Sequence, residues 1–475
     1  MNQIAMSPPS TRQAGELHAA TSLCSLQIVE TLGVDRIDEP VTVGVPFPKG
    51  RISRNACLGL VSPMGQSMPL QWTGLAYWSD GSVQWALLDF LASVPAYSEL
   101  TFNLEQFETS PRSQERGFLT VQPQGDQLCI STGVATFYIH TRDFKPLDQV
   151  LLEGKRCLAD TGSRMTLTGE DGTRYHPCIT RWQVTAHGPI RATVRMHGMF
   201  RHGRTVVAHF LAQLNFFAGK GLMEMRFTLH NPRAAHHPGG LWDLGDPGSI
   251  LFEDLSWYLP VSAPRICWNV SPGEPMRTLQ GAGTIEVYQD SSGGPNWRSR
   301  NHVNRHGEVR QTFAGYRVLI NGEVFEEGKR ATPTVVLEGD AGWMSGAIEQ
   351  FWQNFPTALE VTGENITFRL FPHQYADVYE LQGGEQKTQT VFIEFGGTNT
   401  SSRPLEWIHD RLVPQCSPDW HASTQAIPYL VPRRQDKNVH YLALIDSAIE
   451  GDSTFFDRRE IIDEYGWRHF GDLYA

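Results

Sequence analysis

Residues 223–229 read MEMRFTL, a run in which apolar and polar side chains alternate without a break. A period of two is typical of a β-strand that buries one face and turns the other outward. The same rhythm recurs at 134–139, 190–196 and 205–210, and glycine-containing turns separate these runs. Residues 111–400 are therefore predicted to form a large β-sandwich, in which two sheets each bury one face against the other.

Shorter alternating runs precede this region. They lie at 25–30, 41–50, 57–61, 70–78 and 83–90, and the turn Ser79-Asp80-Gly81-Ser82 separates the last two. Asp-Gly supplies the left-handed backbone angles that a tight hairpin requires. Residues 23–110 are therefore predicted to form a small closed β-barrel, because closure removes exposed strand edges. Residues 1–22 have no such periodicity and predict a disordered tail.

The pattern changes after Gly397. Helical spacing at 403–412, 441–449 and 457–465 predicts a short helical segment over residues 401–475. The predicted fold class is thus mostly β, with a barrel, a sandwich and a C-terminal helical part.

Composition excludes several classes of partner. The chain has 475 residues and a formal net charge of -11, without a run of Lys or Arg. Nucleic acids and anionic membranes are bound through basic patches, so neither is an expected partner. An acidic oligosaccharide remains compatible with this charge if a few Arg, Lys or His side chains converge locally. The seven cysteines are scattered and predict reduced thiols, and residues 1–23 lack a signal-peptide pattern, so a cytoplasmic protein without a membrane span is expected.

One loop concentrates turn residues and titratable groups. Residues 234–249 read AAHHPGGLWDLGDPGS, and the candidate functional residues in this loop are His236, His237, Trp242 and Asp243. The structural alternative is a hydrogen-bonded turn in which the aspartates cap the backbone. The spacing of its histidines does not match a metal site, and the sequence predicts no metal or cofactor, with no specific support for a divalent cation such as calcium.

Three further segments group side chains suited to acid, base or anion-binding roles. They are 296–306, 373–388 and 465–472, and their candidate residues are Trp297, Arg300, His302, Arg305, Tyr375, Glu385 and Lys387. The alternatives are a solvated arginine loop, core tryptophans and a surface pair of Glu385 with Lys387. Serine-hydrolase, P-loop and dinucleotide motifs are missing from the sequence, whereas paired glycosidase carboxylates stay open because their separation is a three-dimensional quantity.

Four segments resemble, in order, the exo-rhamnogalacturonan lyase family that includes the bacterial YetA-like proteins. They are VGVPFPKG at 43–50, WSDGSVQW at 78–85, HPGGLWDLGDP at 237–247 and ELQGGEQKT at 380–388. The resemblance runs from about residue 24 to the C-terminus. It implies a RIFT-type barrel, a central β-sandwich and an α/α toroid, and β-elimination on a rhamnose–galacturonate backbone. Family members continue beyond the point where this chain ends, which implies an incomplete toroid here.

A lyase needs a base, a carboxylate binder and an acid for the leaving oxygen. The residue types favour His236 or His237 as base, Arg300 or Arg305 as carboxylate binder and Tyr375 as acid. The other candidates would contact an acidic oligosaccharide or polysaccharide. Two alternatives stay open: a carbohydrate-binding or scaffolding protein without catalysis, and a glycoside hydrolase that uses Asp243, Asp246 or Glu385.

Overall fold

The structure is a computed structural model, and it describes residues 20–108, 119–238, 244–261, 263–281, 283–398 and 404–469. Residues 1–19 of the predicted tail therefore lie outside the described residues. The first strand already begins at Ala20, inside the last three residues assigned to the tail.

The N-terminal domain consists of two antiparallel sheets around one apolar core. One sheet has the order β1-β7-β3-β4 and the other β2-β6-β5. Their strands are β1 Ala20–Val29, β2 Arg36–Pro46, β3 Cys57–Val61, β4 Ser67–Met68, β5 Gln71–Tyr77, β6 Val83–Val94 and β7 Glu99–Phe107. The predicted hairpin at 78–82 is confirmed: Gly81 has φ +84° and its N–H donates to Trp78 O at 2.9 Å.

The second domain contains a small sheet and two larger ones. The small sheet, in the order β12-β11-β10-β9-β8, comprises β8 Thr120–Gln124, β9 Gln127–Ser131, β10 Ala135–His140, β11 Gln149–Leu152 and β12 Lys155–Arg156. The remaining strands are β13 Arg164–Gly169, β14 Arg174–His187, β15 Arg191–His202, β16 Thr205–Phe217, β17 Leu222–His230, β18 Ile250–Pro260, β19 Arg265–Asn269, β20 Arg277–Gln280, β21 Thr284–Gln289, β22 Tyr316–Ile320, β23 Glu323–Gly328, β24 Thr334–Gly339, β25 Gly342–Ile348, β26 Thr357–Thr362, β27 Asn365–Phe371, β28 Tyr379–Leu381 and β29 Gln386–Gly396.

These strands pair into what we call the long sheet and the facing sheet. The long sheet has the order β14-β15-β16-β17-β29-β25-β24-β19-β20. In the facing sheet, β18 pairs with β13, β27 and β28, and β27 continues through β26, β21 and β22 to β23. The hairpin of β13 and β14 joins the two sheets.

The inner face of the long sheet is covered by both neighbouring sheets. Phe137 of the small sheet lies with its ring centroid 5.0 Å from that of Phe216 of the long sheet. Phe144, in the connection between β10 and β11, lies 4.7 Å from Phe210 in the same way. Phe368 of the facing sheet approaches Gly346 of β25 so closely that a Cβ there would stand 2.8 Å from it. The predicted mostly β fold is confirmed, and the small sheet is a third layer that the sequence did not indicate.

The C-terminal part contains few helices. Predicted helices at 441–449 and 457–465 correspond to α2 Val439–Ile449 and α3 Phe455–Ile462, and α1 Pro418–Thr424 precedes them. The predicted helix at 403–412 is wrong in extent, since only a 3-10 turn forms at Glu406–His409. Leu405 and Ile408 pack on the outer face of the long sheet there, and Leu412 then enters the barrel core. Further 3-10 turns lie at Arg300–His302 and Arg433–Gln435.

Residues 404–469 connect the two domains. Gln415 exchanges two backbone hydrogen bonds of 2.9 Å with Gln27 of β1, and Cys416 joins the barrel core. Farther along, Trp467 packs into the sandwich core against Tyr379, with ring centroids 5.4 Å apart. Helix α2 lies between these anchor points and has no buried residue. Among the described helices, each is too short or too polar to cross a lipid bilayer.

Candidate functional site

The loop between β17 and β18 is held in shape by Asp246. Its carboxylate accepts hydrogen bonds from the backbone N–H groups of His236 at 2.7 Å, His237 at 2.6 Å and Gly248 at 2.7 Å. Burial acts to raise the pKa of Asp246, but the three N–H donors outweigh it and hold the pKa below its usual value. Asp246 is thus a structural anchor that stays ionised.

The two histidines of this loop differ in exposure. His236 is exposed, whereas His237 is half-buried in a left-handed backbone conformation with φ +38°. The imidazole Nδ1 of His237 lies 4.0 Å from the Asp246 carboxylate. The neighbouring candidates Trp242 and Asp243 lie outside the described residues.

Strand β28 and the turn that follows it hold this loop in place. Glu380 accepts hydrogen bonds from Gly245 N at 2.6 Å and from Ser249 Oγ at 2.7 Å, although it is only 7% exposed. The Asn231 side-chain amide donates to Gly248 O and Leu381 O at 2.8 and 2.9 Å. A Cβ at Gly383 would stand 2.4 Å from Ala235 N, so only glycine permits this contact. The described parts of the segments at 234–249 and 380–388 therefore form one structure.

A narrow crevice opens beside this structure, and parts of the other predicted segments line it. Arg305 is in contact with the loop, because its Cβ lies 3.6 Å from where a Cβ of Gly245 would be. The Asn304 amide donates to Asp377 at 2.5 Å, and the Arg468 guanidinium donates to Val303 O. The polar and aromatic residues that line the crevice are Asn304, Arg305, Tyr375, Asp377, Glu380, Trp467 and Arg468. We call these residues, together with His237 and Glu385, the loop cluster.

Tyr375 is kept neutral in this crevice. Its side chain is buried, and burial raises its pKa far above the ordinary value of a phenol. The Asp377 carboxylate raises the pKa further, and the Arg468 and Arg310 guanidiniums oppose this only in part. The phenol thus keeps its proton at neutral pH and can donate a hydrogen bond.

Glu385, like Tyr375, has a raised pKa. Burial raises the pKa of Glu385, a hydrogen bond from Gln382 N at 2.7 Å and the charge of Arg468 lower it, and Glu380 raises it again. The net direction is upward. A carboxyl group with a raised pKa beside a second carboxylate is an arrangement found in acid catalysts.

Two guanidinium groups supply positive charge to the crevice. Arg305 is partly exposed and lies 3.8 Å from the Glu170 carboxylate, and Arg468 reaches the crevice from the C-terminal segment. The carboxylates of Asp377 and Glu380 line the same crevice. The arrangement therefore brings two guanidiniums, two carboxylates and a neutral phenol together.

Other predicted residues lie elsewhere. Trp297 lines a separate depression with Asn296, Arg298 and Ile461, and Arg298 stacks on its ring at 4.5 Å. Arg300 is exposed on the 3-10 turn beside it.

His302 is buried, and its Nε2 lies 2.7 Å from the Asp463 carboxylate, which also accepts a hydrogen bond from Ser292. Its ring meets Phe355 edge-on at 5.2 Å. The contacts of His302 therefore fasten the C-terminal segment to the sandwich.

One interpretation of the spacing of Glu385 and Lys387 was a surface ion pair. Lys387 does not form that pair. It stands on β29 opposite Leu229, in phase with the core residues Val391 and Ile393, and burial lowers its pKa to about 8. Both side chains are half-buried, and the described residues include no ion pair between them.

Sequence reasoning missed Asn304, Asp377, Glu380 and Arg468 as individual members of the cluster. Each lies in or next to a segment chosen for its polar composition, but composition does not show which side chains turn toward the crevice. Within the described ranges, His, Cys, Asp and Glu side chains do not assemble in groups of three or more that could hold a metal ion.

Comparison with known proteins identifies the first domain. Residues 28–104 match the family model of the PcRGLX-like N-terminal RIFT barrel domain. The predicted RIFT-type barrel is therefore confirmed. The chain is also 22% identical over 379 residues to the uncharacterized protein YetA of Bacillus subtilis, which covers 70% of this chain and 42% of YetA. The chain thus spans less than half the length of this relative.

Solved structures resemble the fold distantly. An alpha-mannosidase from Enterococcus faecalis is 10% identical, with 84% of this chain and 46% of that chain covered and a TM-score of 0.41. A galactose mutarotase related enzyme from Lactobacillus acidophilus is 9% identical, with 58% and 99% covered and a TM-score of 0.32.

Proposed function

We propose that this protein is a carbohydrate-active enzyme that cleaves acidic oligosaccharides of the rhamnogalacturonan type by β-elimination. The observation that carries the proposal is the crevice in which Tyr375, Arg305 and Arg468 come together from three separate segments. The match of residues 28–104 to the PcRGLX-like barrel model supports a carbohydrate-active enzyme.

The residues of the loop cluster suit the steps of an elimination. A base removes the proton from the carbon next to the uronate carboxylate, the bond from the neighbouring carbon to the glycosidic oxygen breaks, and that oxygen takes up a proton. Arg305 and Arg468 would hold the carboxylate and stabilise the enolate that develops on it. His237 would accept the proton, and the neutral Tyr375 would protonate the leaving oxygen.

The test follows the unsaturated product by its ultraviolet absorbance during incubation with rhamnogalacturonan oligomers. Tyr375→Phe removes the proton donor and is expected to lower kcat by about 100-fold or more, a typical size for loss of a general acid. Tyr429→Phe is the matched control, because Tyr429 is 96% exposed and far from the crevice along the chain. Wild-type protein that produces no absorbance would refute the lyase proposal.

A glycoside hydrolase is the second candidate. The observation that favours it is Glu385, whose pKa is raised beside Glu380, since hydrolases pair an acid with a second carboxylate. Reducing sugars released without ultraviolet absorbance, and lost in Glu385→Gln, would select this function. Calorimetric binding without any product would select a carbohydrate-binding protein instead.

A further inference from the structure

The outer face of the long sheet carries a row of polar side chains across three adjacent strands. Arg195 of β15 stands directly opposite Gln213 of β16, and Gln213 stands opposite Arg226 of β17. Residues paired in this way project to the same side of a sheet. The residues next to them along the strands, among them Val194 and Leu214, are fully buried toward the core. The row therefore points away from the core.

Two further pairs extend this row. Arg181 of β14 stands opposite His197 of β15, and His209 of β16 stands opposite His230 of β17 with ring centroids 6.2 Å apart. We call the resulting surface the cationic face; it consists of Arg181, Arg195, His197, His209, Gln213, Arg226 and His230. Because adjacent strands lie about 4.8 Å apart, Arg195 and Arg226 are separated by roughly 10 Å across the sheet.

The arginines of the cationic face form no close ion pair in the described part of the chain. Arg181, Arg195 and Arg226 form no ion pair within 4.0 Å among the described residues, and the enclosed Nε of Arg195 has no hydrogen-bond partner there. Two acidic residues on this side of the sheet, Glu224 and Glu349, lie 3.4 and 3.7 Å from Arg411. The charge of Arg226 also acts on the Glu349 carboxylate, but from beyond ion-pair distance. The chain as a whole has a net charge of -11, so an exposed positive surface differs in sign from the rest of the protein. Such a surface favours the binding of an anionic ligand.

We propose that the cationic face binds a carboxylated oligosaccharide laid across the strands, with its carboxylates on Arg195 and Arg226 and a hydroxyl on Gln213. This inference rests on the proposed function only for the class of sugar. The hydroxyl groups of Thr228 on β17 and Thr388 on the adjacent β29, which lie 2.7 Å apart, extend the polar surface for further sugar hydroxyls. A guanidinium binds a carboxylate through two parallel hydrogen bonds, and an amide binds a hydroxyl as donor and acceptor.

A carbohydrate fits this surface better than a nucleic acid. Single-stranded nucleic acids are bound by aromatic platforms together with a long basic track. The cationic face offers histidines but no Trp, Tyr or Phe that is exposed on it among the described residues. Beyond the face, the net negative charge of the protein would repel a long polyanion.

The cationic face adjoins the loop cluster through the chain itself. His230 ends β17 and the loop with His236 and His237 follows it, while Glu385 directly precedes β29. The backbone N–H of Asn231 donates to Glu385 O at 3.0 Å, so the two connections run together. A long substrate held on the face would thus lie next to the proposed catalytic residues.

Calorimetric titration with an oligogalacturonate, and with the same oligomer after reduction of its carboxyl groups, tests the proposal. The wild-type protein is expected to bind the acidic oligomer at least 10-fold more tightly than the neutral one. The double variant Arg195→Gln with Arg226→Gln is expected to lose that preference. Arg204→Gln is the matched control, since Arg204 is an exposed arginine in the turn between β15 and β16.

Unchanged affinity in the double variant, or equal affinity for the neutral oligomer, would overturn the proposal. Tighter binding of a single-stranded DNA oligomer than of oligogalacturonate would overturn it in favour of a nucleic-acid surface. Calorimetry measures binding and not turnover, so this result can be separated from the proposed function. If the protein is inactive but its binding depends on Arg195 and Arg226, the inference stands. If the protein is active but its binding does not depend on these arginines, the inference is wrong.

Discussion

The loop cluster and the cationic face differ in whether their charged groups have hydrogen-bonding partners within the protein. In the loop cluster and the loop beside it, Glu380 and Asp246 accept hydrogen bonds from backbone N–H and hydroxyl donors. On the cationic face, Arg195 and Arg226 flank Gln213 and form no ion pair within 4.0 Å in the described part of the chain. A polar group that is satisfied inside the protein stabilises the fold, whereas one left unsatisfied is available to a ligand. Clustering of titratable residues therefore does not by itself separate structural from functional groups.

Removal of the Glu380 carboxylate should have the largest effect on stability. Glu380→Ala leaves the Gly245 N–H and the Ser249 hydroxyl without their acceptor, and we expect a loss of about 2–3 kcal/mol in the free energy of unfolding. Urea denaturation measures it. Glu380→Gln keeps an acceptor oxygen and should cost less than half as much; equal losses in the two variants would contradict the hydrogen-bond explanation.

Lys387→Met should stabilise the protein at neutral pH. Burial lowers the pKa of Lys387 from 10.5 to about 8, so the folded state disfavours the charged form. Between pH 8 and 10.5 the unfolded chain binds more protons at this residue, and the stability of the wild type therefore rises with pH in that window. We expect a gain of roughly 1–3 kcal/mol at pH 7 that shrinks toward pH 10.5. Denaturation at pH 7 and at pH 10 compares the two values, and a gain that does not depend on pH would exclude the titration of Lys387 as its cause.

Acidification should strengthen binding at the cationic face. Burial lowers the pKa of His197, and the neighbouring Arg181 and Arg195 lower it further. The pKa of His230 is lowered mainly by burial and also by the charge of His209. Both rings are therefore mostly neutral at pH 7 and gain charge as the pH falls below the usual value of 6.5, so affinity for oligogalacturonate should increase about three- to tenfold between pH 7 and pH 5. Calorimetry with His197→Gln measures the share of that residue, and an increase of the same size in the variant would exclude it.

The smallest effect is expected for the stability of the arginine variants. Arg195→Gln and Arg226→Gln break no ion pair in the described structure, and the free energy of unfolding should change by less than about 0.5 kcal/mol. A loss as large as that of Glu380→Ala would place these arginines among the structural groups and remove the contrast between the two regions.

The strands were predictable because alternation follows directly from a face that must be buried. The hairpin at 78–82 was predictable because Asp-Gly adopts its backbone angles without help from the rest of the chain. The segment at 403–412 was not, because its conformation is determined by the sheet that Leu405 and Ile408 cover and by the barrel core that Leu412 enters. Tertiary contacts outweighed its local helical pattern.

The two sites also differ in how far the sequence predicted them. Composition led to the loop cluster, although the partners of Glu380 and Arg468 depend on how distant loops meet. The cationic face was invisible in the sequence, because Arg195, Gln213 and Arg226 become neighbours only through strand register. That register includes irregularities between Ile179 and Arg181 and between Phe200 and Arg201, and no local sequence rule specifies them.

The anchoring of Leu412 and Cys416 in the barrel core has a consequence for synthesis of the chain. Strands β1 to β7 leave the ribosome first, but part of the apolar core that they enclose is supplied by residues some three hundred positions later. Until that segment emerges, the barrel has an uncovered apolar surface, which is the state in which growing chains aggregate. The domain that is made first is therefore completed among the last.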